Sequence, residues 1–503
     1  MNPVSNNIKK IWQAACLPKF LFVFIAVWTA VVMFGTIPFG DLSGYDDTAY
    51  THEAKTMLQT GDWWTMSLNG NPDFDKPPLF IWLLALSFKI FGATDFAAKV
   101  PGVLLGWATV VLVYFLAKEM LSYEPENSSA GEDAASRREW LPVLSMLSMA
   151  TTQYFLKYSS HAMTDVPFTF FFTLAVYFYV RSRKNSYFLL AGGIATGLAT
   201  LTRSPMGLFP LAIIVLHFIF TRRLKLLFSF NFAGCVVFAL LITATWFLRE
   251  YSLFGDVFVN RHFGNFLDHS ASIAKPRTDW QQFLWYFEYL FLIVKLYFPW
   301  FPLMFYGLFL AFRKAQQSRF SAPVETLLII WFFVVLLPFS SAESKVLRYI
   351  LPVFPAFAIL SAYGLHRLLS TKRLPKFAQI TFLLLTLAAF IAVAFPNYEL
   401  RAGDMRSLAP ISDAATVQGE KVVLYTSGEF QANYQTQLLW YGERLCIISR
   451  DLKEVAALLT DKKQTVVVMD KPSYAQLTTQ NKLKITILGE SEKFVCFRRD
   501  SGD

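Results

Sequence analysis

Charged residues are scarce in this chain: only 16% of its 503 residues are Asp, Glu, Lys or Arg, while 54% are hydrophobic and 51 are Phe. A soluble domain carries about a quarter charged residues, so this composition excludes a soluble globule of this length. It indicates a polytopic α-helical membrane protein. The formal net charge of +10 is explained by basic cytoplasmic loops, and we expect no nucleic-acid partner.

The signatures of soluble nucleotide and redox enzymes are also missing. The chain has no Walker loop, no Gly-rich dinucleotide turn after a strand, no Cys-x-x-Cys and no His-Glu-x-x-His. There are four cysteines, of which Cys446 and Cys496 lie on strand-like runs near the C-terminus. They could form a disulfide in an oxidising compartment or be two separate buried thiols, because sequence spacing cannot show proximity.

Apolar stretches of membrane-spanning length recur as far as residue 395. A helix needs about 20 apolar residues to cross about 30 Å of hydrocarbon. We predict eleven spans, near 20–39, 99–117, 141–158, 166–180, 187–202, 206–220, 226–247, 299–312, 323–339, 349–366 and 377–395. The run from Leu79 to Phe91 has about a dozen residues, so we predict a non-spanning interfacial or re-entrant helix after Pro77 and Pro78. The spacing of Gly192, Gly193 and Gly197 favours close helix packing over ligand binding.

Lysine and arginine cluster in alternate loops, which fixes the predicted orientation because short cytoplasmic loops concentrate these residues. The clusters are Lys9, Lys10 and Lys19; Lys118, Arg137 and Arg138; Arg181, Arg183 and Lys184; Arg222, Arg223 and Lys225; Arg313, Lys314 and Arg319; and Arg367, Lys372, Arg373 and Lys376. The N-terminus is therefore predicted to be cytoplasmic.

The same topology collects charged residues at the outer face. They come from different loops and span ends: Asp46, Asp47, Lys76, Asp165, Arg203, His262, Lys345 and Arg348. Any one of them could be an ordinary interfacial charge. As a set, they predict one cavity within the helix bundle.

Composition changes abruptly after Pro396, and this divides the chain into two predicted domains. Residues 1–396 form the membrane domain, with a first outer loop at 40–98, and residues 397–503 form a soluble α/β domain. Strand patterns at 421–425 and 465–469 flank a helical pattern at 452–459. Eleven crossings from a cytoplasmic N-terminus place this α/β domain in the periplasm.

Motifs in the outer segments carry a family resemblance. The first loop contains Asp46-Asp47-Thr48-Ala49-Tyr50, Gly61-Asp62-Trp63, Asn69-Gly70 and Asp75-Lys76-Pro77-Pro78-Leu79, and later segments contain His161-Ala-Met-Thr-Asp165, Leu201-Thr-Arg203-Ser-Pro205, Arg261-His262-Phe263-Gly264 and Ser344-Lys345-Val-Leu-Arg348-Tyr349. This pattern resembles the polyprenyl-phosphate-dependent glycosyltransferases with a GT-C fold. The bacterial members of glycosyltransferase family 39, which include lipid A aminoarabinose transferases and protein O-mannosyltransferases, are the most similar. The resemblance covers residues 1 to about 395. The aminoarabinose transferases typically have arginine where this chain has Ala49.

The resemblance implies a hexosyl- or pentosyltransferase with a polyprenyl-phosphate sugar donor and a glycolipid or protein acceptor. Such a transfer needs a base for the acceptor's proton and cations for the departing phosphate. Asp46 corresponds to the base, and Asp165 would help to position the acceptor or a metal ion. The implied substrate-binding residues are Tyr50, Lys76, Arg203, Lys345, Arg348 and Tyr349. Of these, Lys76, Arg203 and Arg348 are the candidates to hold the phosphate.

Several of these assignments have alternatives. Asp47 is either a helix cap or the base in place of Asp46. His262 is either an interfacial histidine or, as the resemblance implies, a divalent-metal ligand together with Asp75. Tyr50 and Tyr349 could belong to the aromatic belt at the membrane surface. No other cofactor is expected.

Two other classes of protein compete with a glycosyltransferase. A transporter or lipid flippase would place charges within span interiors or use paired interrupted helices, but here the interiors are almost free of ionisable groups. An oligosaccharide ligase also uses polyprenyl-linked donors. Such a ligase generally lacks a first loop that joins Asp-Asp to Lys-Pro-Pro.

The predicted topology can be tested with single cysteines near Ser128, Ser318 and Ser427. We expect cysteines at the first two positions to resist an impermeant thiol reagent in intact cells, because both lie in cytoplasmic loops. A cysteine near Ser427 should react, because the α/β domain is periplasmic. Labelling on the opposite sides would break the eleven-span topology.

Overall fold

A computed structural model describes residues 3–38, 40–42, 44–122, 131–271, 278–342, 345–370, 403–427, 431–461, 465–481 and 484–500. Its helices are α1 (Pro3–Thr36), α2 (Tyr45–Thr60), α3 (Leu79–Phe91), α4 (Asp95–Leu121), α5 (Gly131–Ala150), α6 (Gln153–Ser159), α7 (Asp165–Arg181), α8 (Phe188–Thr202), α9 (Phe209–Phe220), α10 (Phe230–Phe254), α11 (Asp256–Ala271), α12 (Asp279–Tyr286), α13 (Glu288–Leu296), α14 (Phe301–Gln317), α15 (Pro323–Ser341) and α16 (Phe354–Ser370).

Among these helices, five segments are long and apolar enough to cross a membrane: 17–36, 95–121, 230–254, 323–341 and 347–369. Shorter apolar helices lie at 79–91, 188–202 and 206–220. The chain is therefore a multi-pass membrane protein. The predicted span 377–395 and the predicted domain boundary at 396 lie outside the described residues.

The helix ends differ in places from the predicted spans. The stretch 141–158 is divided at Thr151 and Thr152 into α5 and α6. The stretch 226–247 begins as the 3₁₀ helix Leu224–Phe228, and α10 then runs to Phe254. The helix α3 has the bounds that the sequence predicted, and at 13 residues it is about 20 Å long, shorter than the hydrocarbon layer.

Small residues let the helix backbones approach one another closely, as the glycine spacing predicted. A Cβ atom at Gly193 in α8 would lie 2.2 Å from the carbonyl oxygen of Cys235 in α10. A Cβ atom at Gly307 in α14 would lie 2.0 Å from the carbonyl oxygen of Leu360 in α16. Only glycine fits these crossings, because any Cβ atom would overlap the neighbouring backbone. Such close contacts matter in lipid, where van der Waals packing rather than hydrophobic exclusion holds helices together.

The C-terminal part is an α/β unit, as predicted. Its strands are β3 (Val422–Tyr425), β4 (Cys446–Ile448), β5 (Val466–Asp470), β6 (Ile485–Glu490) and β7 (Phe494–Arg499) in the order β4-β3-β5-β7-β6. The first three are parallel and the last two join antiparallel. Helices α17 (Asp404–Ala415) and α18 (Gln431–Tyr441) cover one face, and α19 (Leu452–Asp461) and α20 (Lys471–Asn481) cover the other.

The two cysteines of this sheet are separate buried thiols, so the disulfide alternative is wrong. Cys446 lies on β4 and Cys496 on β7, with β3 and β5 between them. Three strand spacings amount to about 14 Å, which is too far for a disulfide. Burial raises the pKa of each thiol to about 12.

The α/β unit lies directly on the first outer loop, which contains α2, the hairpin β1 (Met66–Leu68) and β2 (Asn71–Asp73), and α3. Asn69 at the hairpin turn accepts from the Cys446 backbone N–H at 3.0 Å and donates to the Cys446 carbonyl at 2.8 Å. Lys55 of α2 forms an ion pair with Glu443 at 2.8 Å. The loop therefore packs between the membrane helices and the α/β unit.

The close crossing of α14 and α16 generates a stability prediction. We expect Gly307→Ala to lower the melting temperature of the detergent-solubilised protein, because the new methyl group meets backbone that cannot move aside, and overpacking of this kind costs about 1–3 kcal/mol. Gly35→Ala is the matched control, since a Cβ atom there meets nothing within 4 Å. Equal melting temperatures for the two variants would contradict this packing.

Candidate active site

The helix α2 carries the acidic motif of the first outer loop. Asp46 and Asp47 lie in its first turn, where carboxylates are favoured by the partial positive charge of the helix N-terminus. Gly61, with φ 76°, ends the helix and donates its N–H to the Met57 carbonyl at 3.0 Å. Asp46, Tyr50 and Glu53 follow the i, i+4, i+7 spacing of one helix face. The helix therefore presents these three side chains together.

Arg348 joins Asp46 to Asp165. It lies in the 3₁₀ helix Leu347–Val353 that precedes α16. Its Nη2 donates to Oδ2 of Asp46, and its Nε lies 3.3 Å from Oδ2 of Asp165. One guanidinium thus binds two carboxylates from different helices, α2 and α7.

Asp165 also pairs with Arg203. Asp165 begins α7 and is 2% exposed, while Arg203 follows α8 and is 4% exposed. Nη1 of Arg203 donates to Oδ1 of Asp165, and the Arg203 guanidinium stacks over the Tyr349 ring at 4.0 Å. Buried charges are tolerated when they are paired and hydrogen-bonded. The result is a charge chain of alternating sign: Asp46, Arg348, Asp165 and Arg203.

Lys76 brings another cation to the accessible end of this charge chain. Its Nζ lies 2.9 Å from Oδ2 of Asp75, and its side chain is 19% exposed. Burial raises the pKa of Asp46 above its ordinary value, although the positive charges of Arg348 and Lys76 act against the shift. Asp46 is therefore a stronger base than an ordinary aspartate.

Asp47 has a different environment from Asp46. It is 1% exposed, and its Oδ1 accepts from the Ala162 backbone N–H at 2.7 Å while its Oδ2 lies 2.8 Å from Nδ1 of His161. Burial opposes protonation of His161, but the Asp47 carboxylate outweighs it and raises the pKa of the imidazole. Both Asp47 oxygens are engaged in fastening α2 to the segment before α7. The geometry favours Asp46 over Asp47 as the reactive carboxylate.

The sequence reasoning missed the acidic pair of Glu53 and Asp73. Glu53 is 5% exposed on α2, and Asp73 ends β2. Burial, followed by the charge and hydrogen bond of Asp73, raises the pKa of Glu53 well above its ordinary value. The i+7 spacing from Asp46 could have identified Glu53, had the motif been recognised as helical.

Lys345 and His262 lie beside the charge chain and not in it. Lys345 donates to the Phe339 carbonyl at 3.3 Å, and its ammonium lies 3.7 Å from the centre of the Trp285 ring. His262 donates from Nδ1 to the Phe74 carbonyl at 2.7 Å and stacks on Phe258 with ring centres 5.6 Å apart.

The predicted metal ligands are Asp75 and His262. Because Nδ1 of His262 is bound to the Phe74 carbonyl, only its Nε2 could bind a metal ion. Zinc sites use three or four protein ligands. Within the described ranges, no group of three or more His, Cys, Asp and Glu side chains is arranged to hold a metal ion. Asp75 and His262 alone do not complete such a site, and metal binding stays a prediction.

Comparison with known proteins supports the resemblance. Residues 75–129 and 136–248 match the family model described as dolichyl-phosphate-mannose-protein mannosyltransferase. The chain is 30% identical over 332 residues to the undecaprenyl phosphate-alpha-4-amino-4-deoxy-L-arabinose arabinosyl transferase of Edwardsiella ictaluri. This alignment covers 64% of this chain and 55% of the relative. The chain is also 28% identical over 352 residues to a protein of Aquifex aeolicus, which covers 69% of this chain and 64% of the relative. The chain thus spans less than two thirds of the length of both relatives.

The fold matches a solved structure over nearly the whole chain. The crystal structure of ArnT from Cupriavidus metallidurans bound to undecaprenyl phosphate superposes with a TM-score of 0.71 at 18% identity, covering 95% of this chain and 97% of that one. The similarity includes the C-terminal α/β unit, about which the motifs say little. The chain therefore has the GT-C fold, and its sequence is similar to the polyprenyl-phosphate-dependent glycosyltransferases that its motifs resemble.

Proposed function

We propose that this protein transfers a sugar from a polyprenyl-phosphate donor to a hydroxyl or phosphate of a glycolipid or protein acceptor. The observation that carries the proposal is the charge chain, in which a basic carboxylate and cations that can bind a phosphate meet near the half-buried Lys76. We place the reaction at the outer face of a bacterial inner membrane, with the N-terminus cytoplasmic and the α/β unit periplasmic. The similarity to the mannosyltransferase family model and to the arabinosyl transferases supports the transfer reaction.

The cations supply what the leaving group needs. When the bond between the anomeric carbon and the phosphate oxygen breaks, the lipid phosphate keeps the electron pair and gains negative charge. Lys76 and Arg348 lie where they can stabilise this charge, and preorganised donors of this kind favour the transition state. Arg203 and Asp165 keep Arg348 in place from the buried side.

Asp46 supplies the base. As the acceptor oxygen forms its bond to the anomeric carbon, its proton passes to a carboxylate oxygen of Asp46. Asp46 is paired with Arg348 in the structure. A donor phosphate that binds Arg348 would compete with this pair and release Asp46 for the acceptor. Donor binding would thereby prepare the base.

The relatives support the same carrier lipid for this chain more strongly than they support the same sugar. The arabinosyl transferases are named for undecaprenyl phosphate and 4-amino-4-deoxy-L-arabinose. Ala49 stands where those enzymes typically have arginine, and it is 2% exposed in α2. We therefore propose a polyprenyl-phosphate donor that carries a hexose or a pentose.

The donor class can be tested directly. We expect purified protein in nanodiscs to consume a polyprenyl-phosphate sugar and to ignore nucleotide sugars, because the chain has no nucleotide-binding motif. Mass spectrometry of the released polyprenyl phosphate and of the glycosylated acceptor measures turnover with each type of donor. Turnover with a nucleotide sugar alone would overturn the proposal.

The role of Asp46 can be tested with Asp46→Asn, which keeps the shape but removes the basicity. We expect the single-turnover rate to fall by about 100-fold or more, with donor binding retained because Arg348 and Lys76 remain. Lys76→Ala should weaken donor binding as well as turnover, since it removes a cation that contacts the phosphate in both the ground and transition states.

The control for this experiment is Asp47→Asn, which should lower the melting temperature more than Asp46→Asn does, because Asp47 fastens α2 to Ala162 and His161. If Asp46→Asn turned over normally and only Asp47→Asn lost turnover in folded protein, the base would be Asp47.

A further inference from the structure

The segment that leads into α2 is held by the α/β unit. The Leu42 backbone N–H donates to the Tyr441 hydroxyl at 3.0 Å, and that hydroxyl lies 3.2 Å from the Leu42 carbonyl and 3.1 Å from Oδ2 of Asp95. One residue earlier, the Asp41 carboxylate accepts from the Gly403 N–H at 2.6 Å. Asp41 and Leu42, a few residues before α2, are therefore bonded to residues of the α/β unit.

The first turns of α2 are held by the same unit. Oγ1 of Thr48 lies 2.7 Å from Oγ1 of Thr436 on α18, and both side chains are fully buried. One turn further, Nδ1 of His52 donates to the Leu439 carbonyl at 3.1 Å. Burial lowers the pKa of His52 to about 4, so the ring is neutral and this hydrogen bond carries no net charge. Helix α18 thus follows α2 along its N-terminal half.

The membrane domain holds the other side of the same turn. Asp47 accepts from the Ala162 backbone N–H and pairs with His161. Asp46, between Asp47 and the loop that Tyr441 fixes, faces Arg348. The position of Asp46 is therefore determined jointly by the membrane helices and by α18.

Resting on the proposed function, we propose that Tyr441 and Thr436 are positioning residues, through which α18 sets the place of Asp46 and hence the rate of transfer. Neither residue touches the charge chain. General-base catalysis depends on placing the base within hydrogen-bond reach of the proton, and a misplacement of about 1 Å can cost about 100-fold in rate. On this account the α/β unit is part of the catalytic architecture, although it contributes no catalytic residue.

The test is the double variant Tyr441→Phe/Thr436→Val, which keeps side-chain shape and removes the hydroxyl contacts to Leu42, Asp95 and Thr48. We expect the single-turnover rate at saturating polyprenyl-phosphate sugar and acceptor to fall by about 10-fold or more, with the donor Kd unchanged. The companion variant Tyr441→Phe/Thr436→Ser restores the hydroxyl facing Thr48 and should recover part of the rate. An unchanged rate in the valine variant would overturn the inference.

The matched control destabilises the same unit on its other face. Leu477 of α20 is fully buried in the cluster with Val467 and Phe497, away from α18. Leu477→Ala should lower the melting temperature but leave the rate of the folded protein unchanged. If Leu477→Ala slowed transfer as much as the double variant, general destabilisation would explain both results and the positioning role would be wrong.

A readout independent of activity separates this inference from the proposed function. Backbone hydrogen exchange over residues 41–48 should be faster in the Tyr441→Phe/Thr436→Val variant than in the wild type or in Leu477→Ala. Equal exchange in all three would overturn the positioning role. Failure of the wild type to use any polyprenyl-phosphate sugar, with faster exchange still observed in the double variant, would instead remove the proposed function.

Discussion

The structure depends on the double pairing of Arg348 with Asp46 and Asp165. A buried charge without a partner is costly, and removal of one member of a buried pair typically costs about 3–5 kcal/mol. Asp165 needs both Arg203 and Arg348, and Arg348 in turn needs Asp46. The starts of α2 and α7, the end of α8 and the segment that leads into α16 must therefore meet at one place. The packing of the apolar helices serves to bring these four termini together.

A site that is stable when empty must also change when substrate binds. On the proposed function, the donor phosphate would take the place of Asp46 at Arg348, which also keeps its contact with Asp165, so that the guanidinium would stay paired when Asp46 leaves it. The buried pair of Asp165 and Arg203 is 3% and 5% exposed at its side chains, and it can remain unchanged throughout. On the proposed function, Asp165 and Arg203 would hold the site together, while Asp46, Arg348 and Lys76 would exchange partners during the reaction.

The sequence predicted the class of fold and most helix positions, and among the site residues it named are Asp46, Asp165, Arg203 and Arg348, which the structure brings together. Charge that is scarce in apolar spans and frequent at one face indicated where chemistry could occur, and α3 has the bounds that its apolar run predicted. Asp46 and Asp47 point in directions about 100° apart on the helix. The charge pattern of the sequence does not show which groups each of them meets. Only their partners, Arg348 for one and Ala162 with His161 for the other, separate their roles.

Other features depended on contacts distant in sequence. The helix α2 has few apolar residues, and it packs against α18, nearly 400 residues later in the chain. The contacts of Thr48 with Thr436 and of Asn69 with Cys446 also join residues far apart in sequence, so local patterns could not predict them. Cys446 and Cys496 both lie in strand-like patterns, but the local sequence does not determine the strand order that separates them. Lys345 matched the motif, yet an aromatic ring at Trp285 binds it beside the charge chain.

The most direct test of the account is the pH dependence of the single-turnover rate with saturating polyprenyl-phosphate sugar. A base acts only when deprotonated, so the rate should fall as pH falls through the pKa of Asp46. Because burial raises that pKa, the midpoint should lie above the value of about 3.9 for an ordinary aspartate, and the acidic limb should vanish from the residual rate of Asp46→Asn. An identical acidic limb in Asp46→Asn and the wild type would contradict the account.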